Sequence, residues 1–217
     1  NHNYFSIPNT INSYWAGFLA ADCSIETSSN RIGLNLHYQD KSHLENFKNC
    51  LGYNGKIYVN HKRRHSVTLR FSSKQIKQDL GDIFNVTPQK TFTLQPPNLT
   101  DRDMCLAYIA GYIDGDGSYS WAGRKIKRPR LSIYGTERIL NWIKFNLGNL
   151  DNKVHFIKRD NLYSLSFSGN KAIYARSFYI NMTLPFLFRK YSYWEQTQDE
   201  NKHIDILSCY NSYKIPE

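Results

Sequence analysis

Two stretches of the chain are apolar and rich in small residues, and each ends in a carboxylate. The first runs Ser13-Tyr14-Trp15-Ala16-Gly17-Phe18-Leu19-Ala20-Ala21-Asp22-Cys23-Ser24, and the second, 94 positions later, Ala107-Tyr108-Ile109-Ala110-Gly111-Tyr112-Ile113-Asp114-Gly115-Asp116-Gly117-Ser118. Tyr, Ala, Gly, Asp and Ser coincide at 14/108, 16/110, 17/111, 22/116 and 24/118. The patterns that follow repeat as well. Leu51-Gly52 and Leu147-Gly148 close helical segments, and Phe71-Ser72 and Phe167-Ser168 close alternating ones, each pair offset by 96. A constant offset across several kinds of element reads as a tandem repeat.

Each repeat parses alike. A signature helix is expected over roughly 12–21 and 103–114, capped by Thr10 or Asn12 and by Thr100 or Asp101. Period-two segments follow from Ser24 to Leu36 and Ser118 to Ile133, carrying Ile32, Leu34, Leu36 and Leu131, Ile133 on one face. Amphipathic helices are expected from Lys41 to Leu51 and Thr136 to Leu147. Strand pairs over Lys56–Ser72 and Lys153–Ser168 then turn near His65 and Asn161. Third helices span Lys74–Phe84 and Asn170–Asn181, and a last helix runs from Tyr191 to about Leu207. Pro96-Pro97 stiffens a linker. The fold class is α+β: two pseudo-symmetric αββαββα domains, residues 1–92 and 100–217, joined by 93–99, with antiparallel sheets.

A sheet with helices on one face leaves its other face to solvent. The polar alternates Arg31, Gly33, Asn35, His37 and Arg128, Arg130, Ser132, Tyr134 fall there. Arg124, Lys125, Lys127, Arg128 and Arg130 place five positive charges in seven residues, and His61, Lys62, Arg63, Arg64, His65 form the corresponding loop of the first repeat. Arg70, Lys158 and Arg159 join this basic set. The chain carries 28 Lys plus Arg against 18 Asp plus Glu, a formal charge of +10, so a polyanion is the expected partner. Two such sheets side by side make a positive saddle suited to a duplex groove. The cysteines, Cys23, Cys50, Cys105 and Cys209, show neither zinc spacing nor a disulfide framework, which favours a reducing intracellular compartment. No apolar run is long enough for a membrane span, and no signal peptide is visible at the start of the sequence.

Asp22 and Asp116 are the sharpest candidates for chemistry. A carboxylate at a helix C-terminus is disfavoured by the macrodipole, and two such helices meeting on a pseudo-twofold axis would set two like charges together unless a divalent cation lay between them. Gly17, Gly111 and the neighbouring alanines read as surfaces for close helix packing. Asp114 has Ala20 as its counterpart, so it need not touch metal. The seven histidines show no metal-ligand motif. Tyr14, Trp15, Tyr108 and Tyr112 fit core or interface packing better than stacking on single strands.

Ile109 to Gly117 resembles the signature of the LAGLIDADG homing endonucleases, and Trp15 to Cys23 is a looser copy. The single-chain, two-repeat branch fits the layout. The resemblance implies a monomer that cleaves double-stranded DNA at a long asymmetric target, of about 20 base pairs, and leaves four-base 3′ overhangs. It implies two or three Mg²⁺ ions shared at the interface of the signature helices and held by Asp22 and Asp116. It also implies polar residues after the second strands, Asp40 and Glu137, that position water, and basic residues after the third helices, Lys90 and Lys190. For the acids a helix-capping role is an equal reading, and for the lysines a solvated or phosphate-contacting one. Arg31, Asn35, His37, Lys62, Arg63, Arg64, Arg70, Arg124, Lys125, Lys127, Arg128, Arg130, Ser132, Lys158 and Arg159 are then the DNA-contacting set. A microbial or phage-host cytoplasm, a nucleoid or an organelle such as the mitochondrion is the implied location. Cys23 and Ala20 depart from the motif without removing a proposed ligand. Two other readings use the same scaffold: a splicing maturase with intron RNA as partner, and a catalytically degenerate DNA-binding regulator.

Overall fold

The computed structural model describes residues 1–60, 65–124 and 127–197. The first repeat runs α1 (Thr10–Asp22), β1 (Cys23–Ile25), β2 (Arg31–His37), a 3-10 turn (Tyr38–Asp40), α2 (Lys41–Cys50), β3 (Ile57–Asn60), β4 (Ser66–Ser72) and α3 (Lys74–Phe84). After a second 3-10 turn (Lys90–Phe92) the order recurs as α4 (Arg102–Asp116), β5 (Gly117–Ala122), β6 (Arg128–Gly135), α5 (Glu137–Asn146), β7 (Val154–Ile157), β8 (Leu162–Ser168) and α6 (Asn170–Ser177). Two four-stranded antiparallel sheets result, ordered β1-β2-β4-β3 and β5-β6-β8-β7. Among the described residues no helix is long and apolar enough to cross a membrane.

The period-two pattern sets the register. Ile32 faces Phe71, Leu34 faces Leu69 and Leu36 faces Val67; in the second sheet Leu131 faces Phe167 and Ile133 faces Leu165. All ten are buried, and helices cover them on one side with Leu44, Phe47, Ile76 and Leu80, or with Ile139, Leu140, Ile143 and Ala172. The alternate residues, Arg31, Asn35, His37, Arg128, Arg130 and Tyr134, are exposed on the other side. A one-residue slip would exchange the two sets, so burial fixes the pairing.

Helix α1 begins earlier than expected. Asn9, not Thr10 or Asn12, is its N-cap, and it accepts from Asn12 N at 3.0 Å while Asn12 Oδ1 accepts from Asn9 N at 2.8 Å. Asn12 is buried because its amide also donates to Tyr4 O and Ile7 O, a tertiary demand invisible in the local pattern. Asp101 caps α4 through Met104 N at 2.9 Å. Both signature helices run on to their aspartates, because each passes straight into a strand: Cys23 and Gly117 are already extended, with φ/ψ of −83/153° and −89/161°.

α6 stops at Ser177, short of the expected Asn181. There the backbone tightens into i to i+3 bonds, Tyr179 N to Arg176 O among them, and Tyr179 is buried with its hydroxyl 2.8 Å from that of Tyr119. Of the expected final helix, residues 198–207 lie outside the described residues; up to 197 the chain makes two short helices, α7 (Phe188–Tyr191) and α8 (Tyr193–Gln196). The buried Arg176 guanidinium gathers them: it donates to Glu195 Oε1 at 2.6 Å and to Tyr191 O, and lies 5.2–5.7 Å from the rings of Tyr119, Tyr191 and Trp194. The segment that carries Lys190 is therefore docked rather than trailing. The linker is tied down as well, with Asn85 Nδ2 donating to Pro96 O and Asn98 Nδ2 to Asp82 O.

The two repeats meet along α1 and α4, the most extensive helix–helix contact in the molecule. A Cβ on Gly17 would lie 1.9 Å from Tyr108 O, and one on Gly111 would lie 1.9 Å from Tyr14 O. Backbone touches backbone at both crossings. Gly111→Ala is expected to destabilise the protein by about 3 kcal/mol, because neither helix can shift without opening the shared core. Gly81→Ala, in the middle of α3 where a Cβ would meet only Thr87 Cγ2 at 4.0 Å, should stabilise it by roughly 0.5–1 kcal/mol. Urea denaturation of both variants measures the contrast.

Candidate functional site

Close packing of α1 and α4 brings their C-terminal ends side by side. Asp22 Oδ2 lies 3.4 Å from where a Cβ on Gly115 would stand, one residue from Asp116. Burial pushes the Asp116 carboxyl up to about 6, and the charge of Asp22 pushes in the same direction; Lys90, Lys190 and Tyr112 oppose both. Asp22 is raised too, by its crowded surroundings first, although its side chain still meets solvent. Its shift is opposed by Lys190 and Lys90. Two raised carboxylates at adjacent helix ends, both opposed by the same two cations, mark a functional site better than either residue alone.

Each lysine closes one helix end. Lys90, buried, donates to Ala21 O at 3.2 Å; Lys190 donates to Gly115 O at 2.6 Å and Gly117 O at 2.8 Å. These cations sit where the macrodipoles are negative, which offsets the repulsion that the helix ends exert on the aspartates. Burial lowers the Lys190 ammonium below its ordinary range. A cavity of about 200 Å³ joins Lys90 to Asp116, with Ala21, Leu94, Tyr112, Tyr134 and Leu162 in its wall.

Asp114 is turned inward. It is buried, accepts from Tyr14 Oη at 2.6 Å and from Leu187 N at 2.7 Å, and is pushed up to about 6 by burial. Tyr14 Oη also lies 3.3 Å from Nε2 of His43, which burial depresses to about 4. In the other repeat Ala20 occupies the equivalent place, and the buried Tyr108 hydroxyl has no hydrogen-bond partner among the described residues.

The two acids expected to position water are not equivalent. Asp40 is buried, and both its oxygens are taken by Arg189, with Nε to Oδ1 and Nη2 to Oδ2 each 2.7 Å. Glu137 is exposed at the start of α5, on a separate cleft of about 620 Å³ with Phe92, Thr93, Arg138, Phe156 and Asn161. Thr136, not Glu137, holds the place of Asp40 as N-cap of the second helix of its repeat, and it donates to Leu94 O at 2.7 Å. Arg189 and Leu187 were not picked out from the sequence, and Tyr14 and Tyr112 were read there only as packing residues. Only the adjacency of Arg189 to Lys190 hinted at any of them.

Arg31, Asn35, His37, Arg70, Arg128 and Arg130 on the outer sheet faces, and Arg124, Lys127, Lys158 and Arg159 in the loops between strands, are exposed. Arg31 is braced by Glu26 at 3.0 Å and Arg159 by Asp160 at 3.0 Å. Ser132 differs from expectation: it is buried, with Oγ 3.0 Å from that of Ser166 across the strands. In the first sheet the matching places are Gly33 and Arg70, which with Ser24, Glu26 and Arg31 enclose a cleft of about 310 Å³. Lys62, Arg63, Arg64 and Lys125 lie outside the described residues.

Among the described residues no three His, Cys, Asp or Glu side chains gather into a metal cluster. The two aspartates suit a hard cation that takes one or two carboxylates and completes its shell with water and substrate phosphate, as Mg²⁺ does. Like-charge crowding has a thermodynamic sign. Asp116, raised to about 6 from an ordinary 3.8, binds more protons folded than unfolded between those values, so its contribution to stability falls as pH rises through that window. Without metal, Asp116→Asn should raise Tm at pH 7.5 by about 2–4 °C, with the gain shrinking toward pH 4.5. Thermal denaturation in EDTA at both pH values checks it.

No family model matches the sequence, and no curated protein matches it. Solved structures do. The I-LtrWI LAGLIDADG homing endonuclease bound to target DNA aligns with 99% of this chain and 99% of its own at TM-score 0.60 and 16% identity. I-GzeII, a LAGLIDADG homing endonuclease in complex with its DNA target, aligns over 94% and 98% at TM-score 0.62 and 13% identity. The meganuclease I-SmaMI bound to uncleaveable DNA aligns over 85% and 88% at TM-score 0.59 and 12% identity. Two pseudo-symmetric α+β repeats with antiparallel sheets, joined through paired signature helices, are the saddle-like fold of the LAGLIDADG homing endonucleases.

Proposed function

We propose that this protein is a monomeric, site-specific DNA endonuclease that hydrolyses both strands of a duplex. The observation that carries the reading is the convergence of Asp22 and Asp116 at two helix ends on the pseudo-twofold axis, with Lys90 and Lys190 closing those ends. DNA-bound proteins of the same fold support it. Asp22 and Asp116 are the residues that would hold Mg²⁺. When bound, the ion polarises the scissile phosphates and lowers the pKa of attacking water.

The chain's own residues do the rest. Asp22 and Asp116 present hard oxygen ligands at one point, one from each repeat, so the two strands are addressed together. Lys90 and Lys190, fixed by main-chain carbonyls, add preorganised positive charge where the departing 3′-oxygen and the phosphoryl oxygens become more negative. Hydrolysis then leaves 5′-phosphate and 3′-hydroxyl ends. Placing both cuts near one axis suits a bent duplex approached across its minor groove, which gives four-base 3′ overhangs. The outer sheet faces read base edges of an asymmetric target of about 20 base pairs in the major groove, and Arg124, Lys127, Lys158 and Arg159 contact phosphates.

Incubation of a randomised duplex library with Mg²⁺ or EDTA tests this. Metal-dependent cuts at one long site, lost in Asp116→Asn and in Asp22→Asn, are expected. Absence of any enriched duplex site, together with tight binding of structured intron RNA, contradicts the reading and favours a maturase. Within the recovered site, Arg70→Ala should cost about 1–3 kcal/mol at a single guanine, whereas Lys127→Ala should weaken all sequences alike and flatten the salt dependence by roughly one unit of slope. Competition binding at several salt concentrations separates the two effects.

A further inference from the structure

Neither the aspartates nor the lysines explain Arg189. It lies on α7 of the second repeat, and its partner Asp40 is the N-cap of α2 in the first. Asp40 makes no capping hydrogen bond with its side chain, so both carboxylate oxygens serve the guanidinium, in a two-pronged pair across the repeat interface. Such a pair fixes the plane of the guanidinium as well as its position. Residues on either side are pinned too: Leu187 N by Asp114, and Lys190 Nζ by the carbonyls of Gly115 and Gly117.

Three neighbouring anchor points over four residues are more than is needed to hold a surface helix. They deliver a guanidinium whose side chain remains 48% exposed, next in sequence to the lysine that closes the α4 end. Only Nε–H and one Nη2–H are committed to Asp40, which leaves the remaining N–H donors for a second acceptor.

Among the described residues the symmetry-related place has no such pair. Gln89 precedes Lys90 as Arg189 precedes Lys190, and Thr136 stands in place of Asp40 with its hydroxyl on Leu94 O. Lys90 borders the cavity of about 200 Å³ rather than a charged pair.

Building on the nuclease reading, we propose that Arg189 binds one of the two scissile phosphates, positioned by Asp40, so that only one strand's cleavage depends on it. Asp40 is then a positioning residue and does not order the attacking water. Arg189 is a catalytic residue of one strand alone, and the site is asymmetric although its aspartates and lysines are paired.

Strand-resolved cleavage of the wild-type target, labelled separately on each strand, tests the proposal. Arg189→Gln should slow one strand by on the order of 100-fold and leave the other nearly unchanged, so that nicked duplex accumulates. Asp40→Asn, which keeps the shape and removes the charge, should slow the same strand less, and the double variant should be no slower than Arg189→Gln. Equal slowing of both strands by either variant would reduce the pair to an interface clasp and overturn the proposal, as would no change in either. A wild-type protein that binds its enriched duplex in Mg²⁺ but cuts neither strand would instead sink the nuclease reading on which this rests.

Discussion

Everything at the centre of this protein follows from one steric fact: α1 and α4 touch backbone to backbone. Gly17 against Tyr108 O and Gly111 against Tyr14 O leave no room for even a methyl group. Helices that close cannot splay, so their last residues must lie together, and those residues are Asp22 and Asp116. Both carboxyls are held above their ordinary range, first by burial, and at Asp116 the charge of Asp22 adds to the push. Lys90 and Lys190 offset part of it from the helix ends. A protein keeps such a local conflict where the conflict is useful.

Around that symmetric centre the two repeats have diverged. Tyr14 finds Asp114 across the interface, whereas the first repeat has Ala20 in the place of Asp114 and the Tyr108 hydroxyl is left without a partner among the described residues. Asp40 grips Arg189, while Thr136 grips the linker through Leu94 O. One sheet sets Arg70 beside Gly33; the other closes the same place with the Ser132–Ser166 pair. Each difference exchanges a charged or bulky arrangement for a small neutral one. A symmetric frame with asymmetric contents is what the proposed reading of an asymmetric target calls for. Arg176 is the structural link between the two levels: its ring cage seats the segment that carries Leu187, Arg189 and Lys190.

Much of this was legible because it repeats. The constant offset located the elements, and α3 fell on Lys74–Phe84 as the pattern predicts. Apolar small residues ending in Asp placed both aspartates at helix ends. What the sequence hid depends on contacts between distant segments. Asn12 reads as a helix cap until Tyr4 O and Ile7 O claim its amide. Glu137 looks like the counterpart of Asp40 because both are acids after a strand, yet the capping geometry assigns that place to Thr136. Ser132 alternates with buried residues as an exposed one would, but a cross-strand serine covers it. Asp40 and Arg189 are 149 positions apart, so no local pattern couples them.

The central claim is that Asp22 and Asp116 form one electrostatic unit. Its most direct test is the titration of Asp116, followed by NMR of ¹³C-labelled aspartate carboxyls in the metal-free protein, with and without Asp22→Asn. Removing the neighbouring charge should lower the Asp116 midpoint from about 6, though not to the ordinary aspartate value, because burial remains its larger cause. An Asp116 midpoint unchanged by Asp22→Asn would mean that the two helix ends do not share a site.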